Sequence, residues 1–495
     1  MSTANFERGR RRTLAAVAAS ALPTSGCSWP RASEQDGFVN DVSQLNRVAI
    51  SRQSRPRSTD ELRAALRAWS GSICIGGGRF SMGGQIAAPD SLHIDMRAMN
   101  QVVSFDPSRK VLRVQAGITW RDIQDVIDPH DLSVKIMQSY SNFTVGGSVS
   151  VNCHGRYVGR GPLINSVRSV QLVNADGDVL ELSRSQDAEL FRAVFGGYGG
   201  LGVVTEVELD LEPNTRIERV WQQVALEQYP AFFRDAVLAD PRVVLHNADL
   251  VPPRFDLPYA ISWRNTEKPV TEPQRLIPRG LDYTAEKNVI WAITELPGVG
   301  ALRGLVESRS LGKQAVVWRN HEASLDAASL EPRTRQISTY LLQEYFVPVR
   351  SFLPFAIEMA RILGKHRVNM LNVSIRHSPA DTEALLKWAP TEVFAFVLYY
   401  KQRSTELASG TAAVWTRELI DAALGFGGRY YLPYRLDATR AQFNQAYPEA
   451  AEFVALKRRV DGRNRFRNLL WDSYLEPLSP RRAALIRRAS ISSLV

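Results

Sequence analysis

Cysteine is nearly absent: Cys27, Cys74 and Cys153 are the only three in 495 residues. Their spacing fits neither a disulfide framework nor a zinc site. Long apolar runs are missing too, and no stretch approaches the ~20 consecutive apolar residues of a membrane-spanning helix. An integral membrane protein built of such helices is therefore not expected. Histidine is scarce, and His93, His130, His246, His321, His366 and His377 show no metal-binding spacing. Asn320-His321-Glu322, for example, has no second ligand four residues away. The net charge of +10 has no dominant block and no accompanying recognition motif, so nucleic acid is not an expected partner.

Some of that charge is terminal. Arg8, Arg10, Arg11 and Arg12 outweigh Glu7, and Leu14 to Leu22 follow as a short, mostly alanine apolar run before Ser25-Gly26-Cys27. Residues 1–27 read as a twin-arginine export signal, or otherwise as a basic tail. The first reading places the protein in the periplasm or cell envelope, the second in the cytoplasm. Gly26 before Cys27 suggests lipidation, but Thr24 stands where a lipoprotein signal has Leu. At the other end, residues 481–495 carry Arg481, Arg482, Arg487 and Arg488 around Leu485 and Ile486. They read as a solvated basic tail, or as a contact with anionic lipid at the membrane surface.

The length suggests two or three domains, and 44% hydrophobic with 23% charged residues is ordinary for a globular chain. Residues 28–57 show no period and read as a linker. Ser58-Thr59-Asp60 looks like a helix cap before Leu62, Ala65, Leu66 and Trp69. A strand from Ser72 to Ile75 follows, then one over Val111–Gln115 and a helix through Trp120, Ile123, Val126 and Ile127. Residues 167–182 read as a hairpin turning at Asp176-Gly177. A helix over 187–195 and a strand over Val203–Leu211 come next. This is α+β patterning, without the regular strand–helix alternation of a doubly wound sheet. From Glu212 the character changes. Aromatic strands (Phe394–Tyr400), helices (Phe355–Leu363, Ala413–Leu424) and a Pro/Arg-rich loop region around 252–280 point to a second domain.

Three glycine-rich segments carry the chemistry. The first is Gly76-Gly77-Gly78-Arg79-Phe80-Ser81. Clustered glycines let backbone N–H groups converge on phosphate oxygens, because no Cβ obstructs them. It is not a Rossmann fingerprint, since Ser81 stands at the last glycine position and loop and strand follow. The second runs Thr144-Val145-Gly146-Gly147-Ser148 into Asn152-Cys153-His154-Gly155-Arg156. The third is Gly196-Gly197-Tyr198-Gly199-Gly200-Leu201-Gly202-Val203-Val204.

In this order and spacing, the three segments resemble the PCMH-type FAD-binding domain of the vanillyl-alcohol-oxidase flavoproteins. The resemblance implies that Gly76, Gly77, Gly78, Arg79, Phe80 and Ser81 surround the FAD pyrophosphate. It likewise sets Thr144, Gly146, Gly147, Ser148, Asn152 and Gly155 along the flavin, and Gly197, Gly202 and Val204 on the adenylate side. Many members carry a flavin-linking His where Phe80 stands, so the resemblance implies non-covalent FAD. Gly427-Gly428-Arg429-Tyr430-Tyr431, Lys457-Arg458-Arg459-Val460-Asp461 and Arg465-Phe466-Arg467-Asn468 are similar to the C-terminal segment of the sugar-oxidising branch, that of the decaprenylphosphoryl-ribose oxidases and, more distantly, the aldonolactone oxidases. A lysine of that branch is Tyr434 here, and the His-Trp-x-Lys run of the lactone oxidases is absent.

The resemblance implies a two-part FAD-binding domain (58–212, completed by 425–480) and a substrate domain (213–424) with an antiparallel sheet flanked by helices. The implied reaction is hydride transfer from a secondary alcohol of a sugar, lactone or polyol to flavin N5. That reaction needs a proton acceptor at the hydroxyl and a donor or cation for the reduced flavin. His154 and Tyr434 are the candidates for the hydroxyl, with Gln343 to orient the sugar and Arg156 to stabilise reduced flavin. The electron acceptor is left open among oxygen, a quinone and a redox protein. Two other readings stand beside this one: a reductase of an activated double bond, and a flavin-binding envelope protein without turnover.

Overall fold

A computed structural model describes residues 37–296 and 314–475. The export-signal, lipidation and basic-tail expectations fall outside these residues. The chain opens with a two-stranded ladder, β1 (Phe38–Val39) against β2 (Val48–Ala49). A three-stranded parallel sheet follows, ordered β3 (Arg52–Ser54), β5 (Leu92–Asp95), β4 (Ile73–Gly76). The expected linker is thus folded from residue 38 onward. Its signal was invisible because these strands are two or three residues long, too short to show a period. What fixes them is polar: buried Asp41 accepts from the Ser43 hydroxyl and from the Gly84 N–H.

The helix Thr59–Arg67 starts where the sequence places it, with the Ser58 hydroxyl accepting from the Glu61 N–H, one of the unsatisfied first-turn donors. Its buried face, Leu62 and Leu66, packs with Ile73, Leu92 and Ile94 of the parallel sheet.

Next comes a mainly antiparallel sheet of β6 (Val102–Asp106), β7 (Val111–Gln115), β9 (Val167–Val173), β10 (Val179–Ser183) and β11 (Val203–Pro213). The order is β10-β9-β11-β7-β6, with β8 (Leu132–Val134) also pairing β11. The expected hairpin is β9–β10, closing with Val173 opposite Val179. Helix Trp120–Ile127 is held by a reciprocal cap between Thr119 and Asp122.

The remaining chain builds an eight-stranded sheet. It uses β12 (Arg216–Gln223), β13 (Val243–Leu250), β14 (Tyr259–Asn265), β15 (Val316–Trp318), β16 (Ser338–Pro348), β17 (Met370–Ser378), β18 (Val393–Arg403) and β19 (Arg429–Tyr430). Their order is β15-β12-β14-β13-β17-β18-β16-β19, with the neighbours antiparallel. Strand β14 lies inside the segment expected to be loop. Prolines and arginines crowd its flanks, and only Tyr259–Trp263 reads as strand. Helices Phe352–Lys365 and Glu406–Gly425 cover one face, Phe352 stacking on Phe396 and Phe355 meeting it edge-on. Among the described residues no helix is long and apolar enough to cross a membrane.

The C-terminal segment returns to the first strands. The Ile73 N–H donates to the Arg465 carbonyl and the Arg467 N–H to the Ile73 carbonyl.

Candidate active site

The uncovered face of the eight-stranded sheet turns toward the glycine segments, and a cavity of about 770 Å³ lies between them. At one end it is bordered by Gly77, Gly78, Gly146, Gly147, Gly200 and Gly202. The first two segments touch here: the Gly78 N–H donates to Thr144 Oγ1 at 3.3 Å. A Cβ on Gly77 would stand 2.3 Å from that same oxygen, so only glycine permits this approach. Arg79 borders the cavity and holds a left-handed φ of 62°, an uncommon and strained conformation for a side-chain-bearing residue. Arg79, Arg97 and Arg55 all converge on the buried carboxylate of Asp95. Three cations on one anion leave this end positive.

The other end is aromatic and acidic. Buried His154 lies among Phe346, Trp388 and Tyr431, with ring centroids at 5.5, 4.8 and 5.9 Å. Its Nε2 sits 2.7 Å from Oε1 of buried Glu344, in a contact too far out of line to count as a hydrogen bond, and its Nδ1 has no hydrogen-bond partner. The Tyr434 hydroxyl donates to Glu344 Oε2 at 3.4 Å. Burial, and after it the Glu344 charge, pushes the Tyr434 phenol well above its ordinary range, which keeps the phenol protonated and able to donate.

Strand pairing explains why these groups meet. Asp249 on β13 stands opposite Ser374 on β17, Ser374 opposite Val397 on β18, and Val397 opposite Glu344 on β16. The four form one row across the cavity face, spanning ~14 Å at the usual strand spacing. Asp249 accepts from the side-chain amides of Asn372 and Asn247. Burial nevertheless raises its pKa, outweighing those bonds.

Comparison with known proteins bears on this cavity directly. Residues 50–183 match the family described as FAD binding domain. The chain carries a PCMH-type FAD-binding domain, and FAD is its cofactor. It is 34% identical over 163 residues to L-gulonolactone oxidase of Mus musculus, covering 32% of this chain and 37% of that one. To alditol oxidase of a Streptomyces species it is 32% identical over 161 residues, 32% and 38% of the two chains. Decaprenylphosphoryl-beta-D-ribose oxidase of Mycolicibacterium smegmatis is 25% identical over 419 residues, 81% and 88% of the two chains. The chain thus spans less than two-fifths of the length of the mouse and Streptomyces relatives.

The cavity suits FAD: it has a glycine cradle that a Cβ would fill, a positive end for the pyrophosphate, and room of the usual ligand size. Gly77, Gly78, Arg79, Ser81, Thr144, Gly146 and Gly147 border it, as do Gly197, Gly202 and Val204. Phe80 borders it too, packed on Phe143 at 4.5 Å between centroids. Cys153 reaches the cavity wall, but burial raises its thiol pKa and keeps it protonated.

Four of the expected cofactor residues lie behind the wall. Gly76 backs onto the His93 ring, and the Ser148 hydroxyl donates to Gln138 and the Thr144 carbonyl. Asn152 is the left-handed C-cap of helix Val145–Val151 and donates to Asp381. Gly155 faces the Met137 carbonyl.

Of the expected catalytic residues, one is displaced from the cavity and another is already paired. Gln343 points away from the cavity, bonded to Tyr400, Thr416 and Tyr345 beneath helix Glu406–Gly425. Its neighbours Leu342 and Glu344 face the cavity instead, because strand side chains alternate. Arg156 borders the cavity, but its charge is taken by Glu322 at 2.8 Å. Glu344 and Asp249 were missed. The only available signal was the parity of β16 and β13, which is set by pairing with Val397 and Ser374, far along the chain.

Proposed function

We propose that the protein is an FAD-dependent oxidoreductase that oxidises a secondary alcohol of a sugar, sugar lactone or polyol. The observation that carries this reading is the His154–Glu344–Tyr434 cluster at the far end of the cavity whose near end is the glycine cradle. FAD, when bound, supplies the hydride acceptor. His154 takes the proton of the substrate hydroxyl, and Glu344 balances the charge the imidazole gains. Tyr434 donates a hydrogen bond that orients the carboxylate. Trp388, Phe346 and Tyr431 keep water from this corner, which strengthens each of these interactions.

In this reading the FAD domain has two parts, with the C-terminal segment returning to close it. The bonds between Arg465–Arg467 and Ile73 support that layout. Phe80 has no nucleophilic atom and Cys153 is held as a thiol, which supports a non-covalent flavin. The arginine-led leader supports export to the cell envelope.

Anaerobic mixing of the flavin-loaded protein with a panel of sugars, lactones and polyols tests the reading. Bleaching of the oxidised-flavin bands by members of the panel is expected. Bleaching by reduced nicotinamide alone would replace the reading with a reductase.

A further inference from the structure

Arg376 borders the cavity as a cation for which no ion pair is found among the described residues. Arg376 is on β17, two residues beyond Ser374 and on the same face, ~7 Å along the strand. It borders the cavity. Among the described residues it makes no hydrogen bond and no ion pair, and its buried Nε has no acceptor.

The other arginines around the cavity contrast with it. Arg156 is paired with Glu322, Arg79 is in the Asp95 cluster, and Arg335 is bonded to Thr339 and the Tyr340 carbonyl. Opposite Arg376 on β18 stands Ala395, whose side chain offers the guanidinium no polar partner. Its charge is felt at both Tyr434 and Tyr140.

An arginine cannot shed its proton to escape such a place, and a half-buried charge without a counter-ion is costly unless a ligand completes it. A planar guanidinium is matched by a planar or tetrahedral oxyanion through paired hydrogen bonds. The adjacent Ser374, Asn372 and Asp249 offer a polar row suited to hydroxyl groups.

We propose that Arg376 is a specificity-determining residue that binds an oxyanion carried by the substrate, so that the preferred donor is an acidic polyol or sugar. The anion is a carboxylate, as in an aldonate or uronate, or a phosphate ester. This inference rests on the oxidoreductase reading above.

The test uses the flavin-loaded full chain and matched donors: a neutral aldose or polyol, its carboxylate counterpart and its phosphate monoester. The expected result is a KM ~10- to 100-fold lower for at least one anionic donor than for its neutral counterpart, the scale of a charge-assisted bond. Which anion gains identifies the source. Arg376→Gln is expected to remove that advantage through KM, leaving the neutral donor's kcat within about twofold, and Arg376→Lys to restore part of it. Equal KM values for neutral and anionic donors in the wild-type protein overturn the proposal without any variant. So does an Arg376→Gln variant that slows all donors alike, which would place the cation on the flavin. Should no donor reduce the flavin, the oxidoreductase reading fails first. Titrating the same acids into the oxidised protein then still tests Arg376, through perturbation of the flavin spectrum that the neutral compounds do not give.

Discussion

Glu344 and Gln343 are neighbours with opposite fates. One side chain faces the cavity and His154, the other the buried hydroxyls of Tyr345, Tyr400 and Thr416. Removing the proposed proton acceptor should therefore show in the rate of reduction, not in flavin content. His154→Ala and Glu344→Gln should each slow anaerobic flavin reduction ~100-fold or more, the usual scale for acid–base groups, while stopped-flow samples stay yellow. Gln343→Leu should leave that rate within a few-fold and instead lower stability, because three hydroxyl partners lose a bond. The sequence made His154 legible because it follows a glycine segment that resembles a known one. Glu344 was not legible, since a one-residue choice of parity decides which of two polar neighbours enters the site. Asp249 makes a further residue-scale prediction. Its pKa is raised by burial, so the folded state holds its proton more tightly than the unfolded chain does. The stability this gives is complete below the ordinary aspartate pKa and is lost as pH rises through the folded value. The difference in melting temperature between Asp249→Asn and wild type should therefore grow in the variant's favour from about pH 4 upward. A flat difference would show that the carboxyl titrates as if exposed.

Among the elements, the helix Ala450–Val460 ties the C-terminal segment to the third glycine segment. Buried Lys457 donates to the Gly200 and Phe466 carbonyls at 2.7 and 2.9 Å and to Asp461 Oδ2 at 2.8 Å, over the Trp471 ring. Asp461 in turn accepts from the Arg465 and Phe466 N–H groups. One lysine thus joins the third glycine segment to the returning chain. Lys457→Met would leave a fully buried carboxylate without its cation, a loss of ~3–5 kcal/mol. Chemical denaturation followed by tryptophan fluorescence should show it, and a loss under ~1 kcal/mol would mean the joint is not made. Gly200 also has a steric role: a Cβ there would stand 2.0 Å from the Trp471 ring. Most helices and the β9–β10 hairpin were legible because periodicity and turn chemistry are local. The lysine joint was visible only as a resemblance, since its partners sit at positions 200, 461 and 466.

At the scale of the molecule, the cavity belongs to no single sheet. Its walls come from segments near residues 79, 145, 200, 249, 344, 376 and 434. The glycine half announced itself in the sequence, because crowded glycines have few other uses. The half formed by the eight-stranded sheet did not, since antiparallel pairing between distant strands leaves no local trace beyond alternation. A ligand that touches both halves can bind only when both are folded, so FAD should act as a staple on the whole chain. Stabilisation by a ligand that binds only the folded state follows mass action, reaching ~4 kcal/mol at a thousandfold excess over Kd. Flavin-stripped protein should therefore melt in one transition that rises steadily with added FAD. The positive end around Arg79 makes a sharper demand. Riboflavin, which has the ring but no pyrophosphate, should raise the melting temperature far less than FAD at equal concentration, and 0.5 M salt should narrow the gap by screening. Equal shifts from the two compounds would detach the arginine cluster from the cofactor. No shift from either would leave the glycine cradle without its ligand.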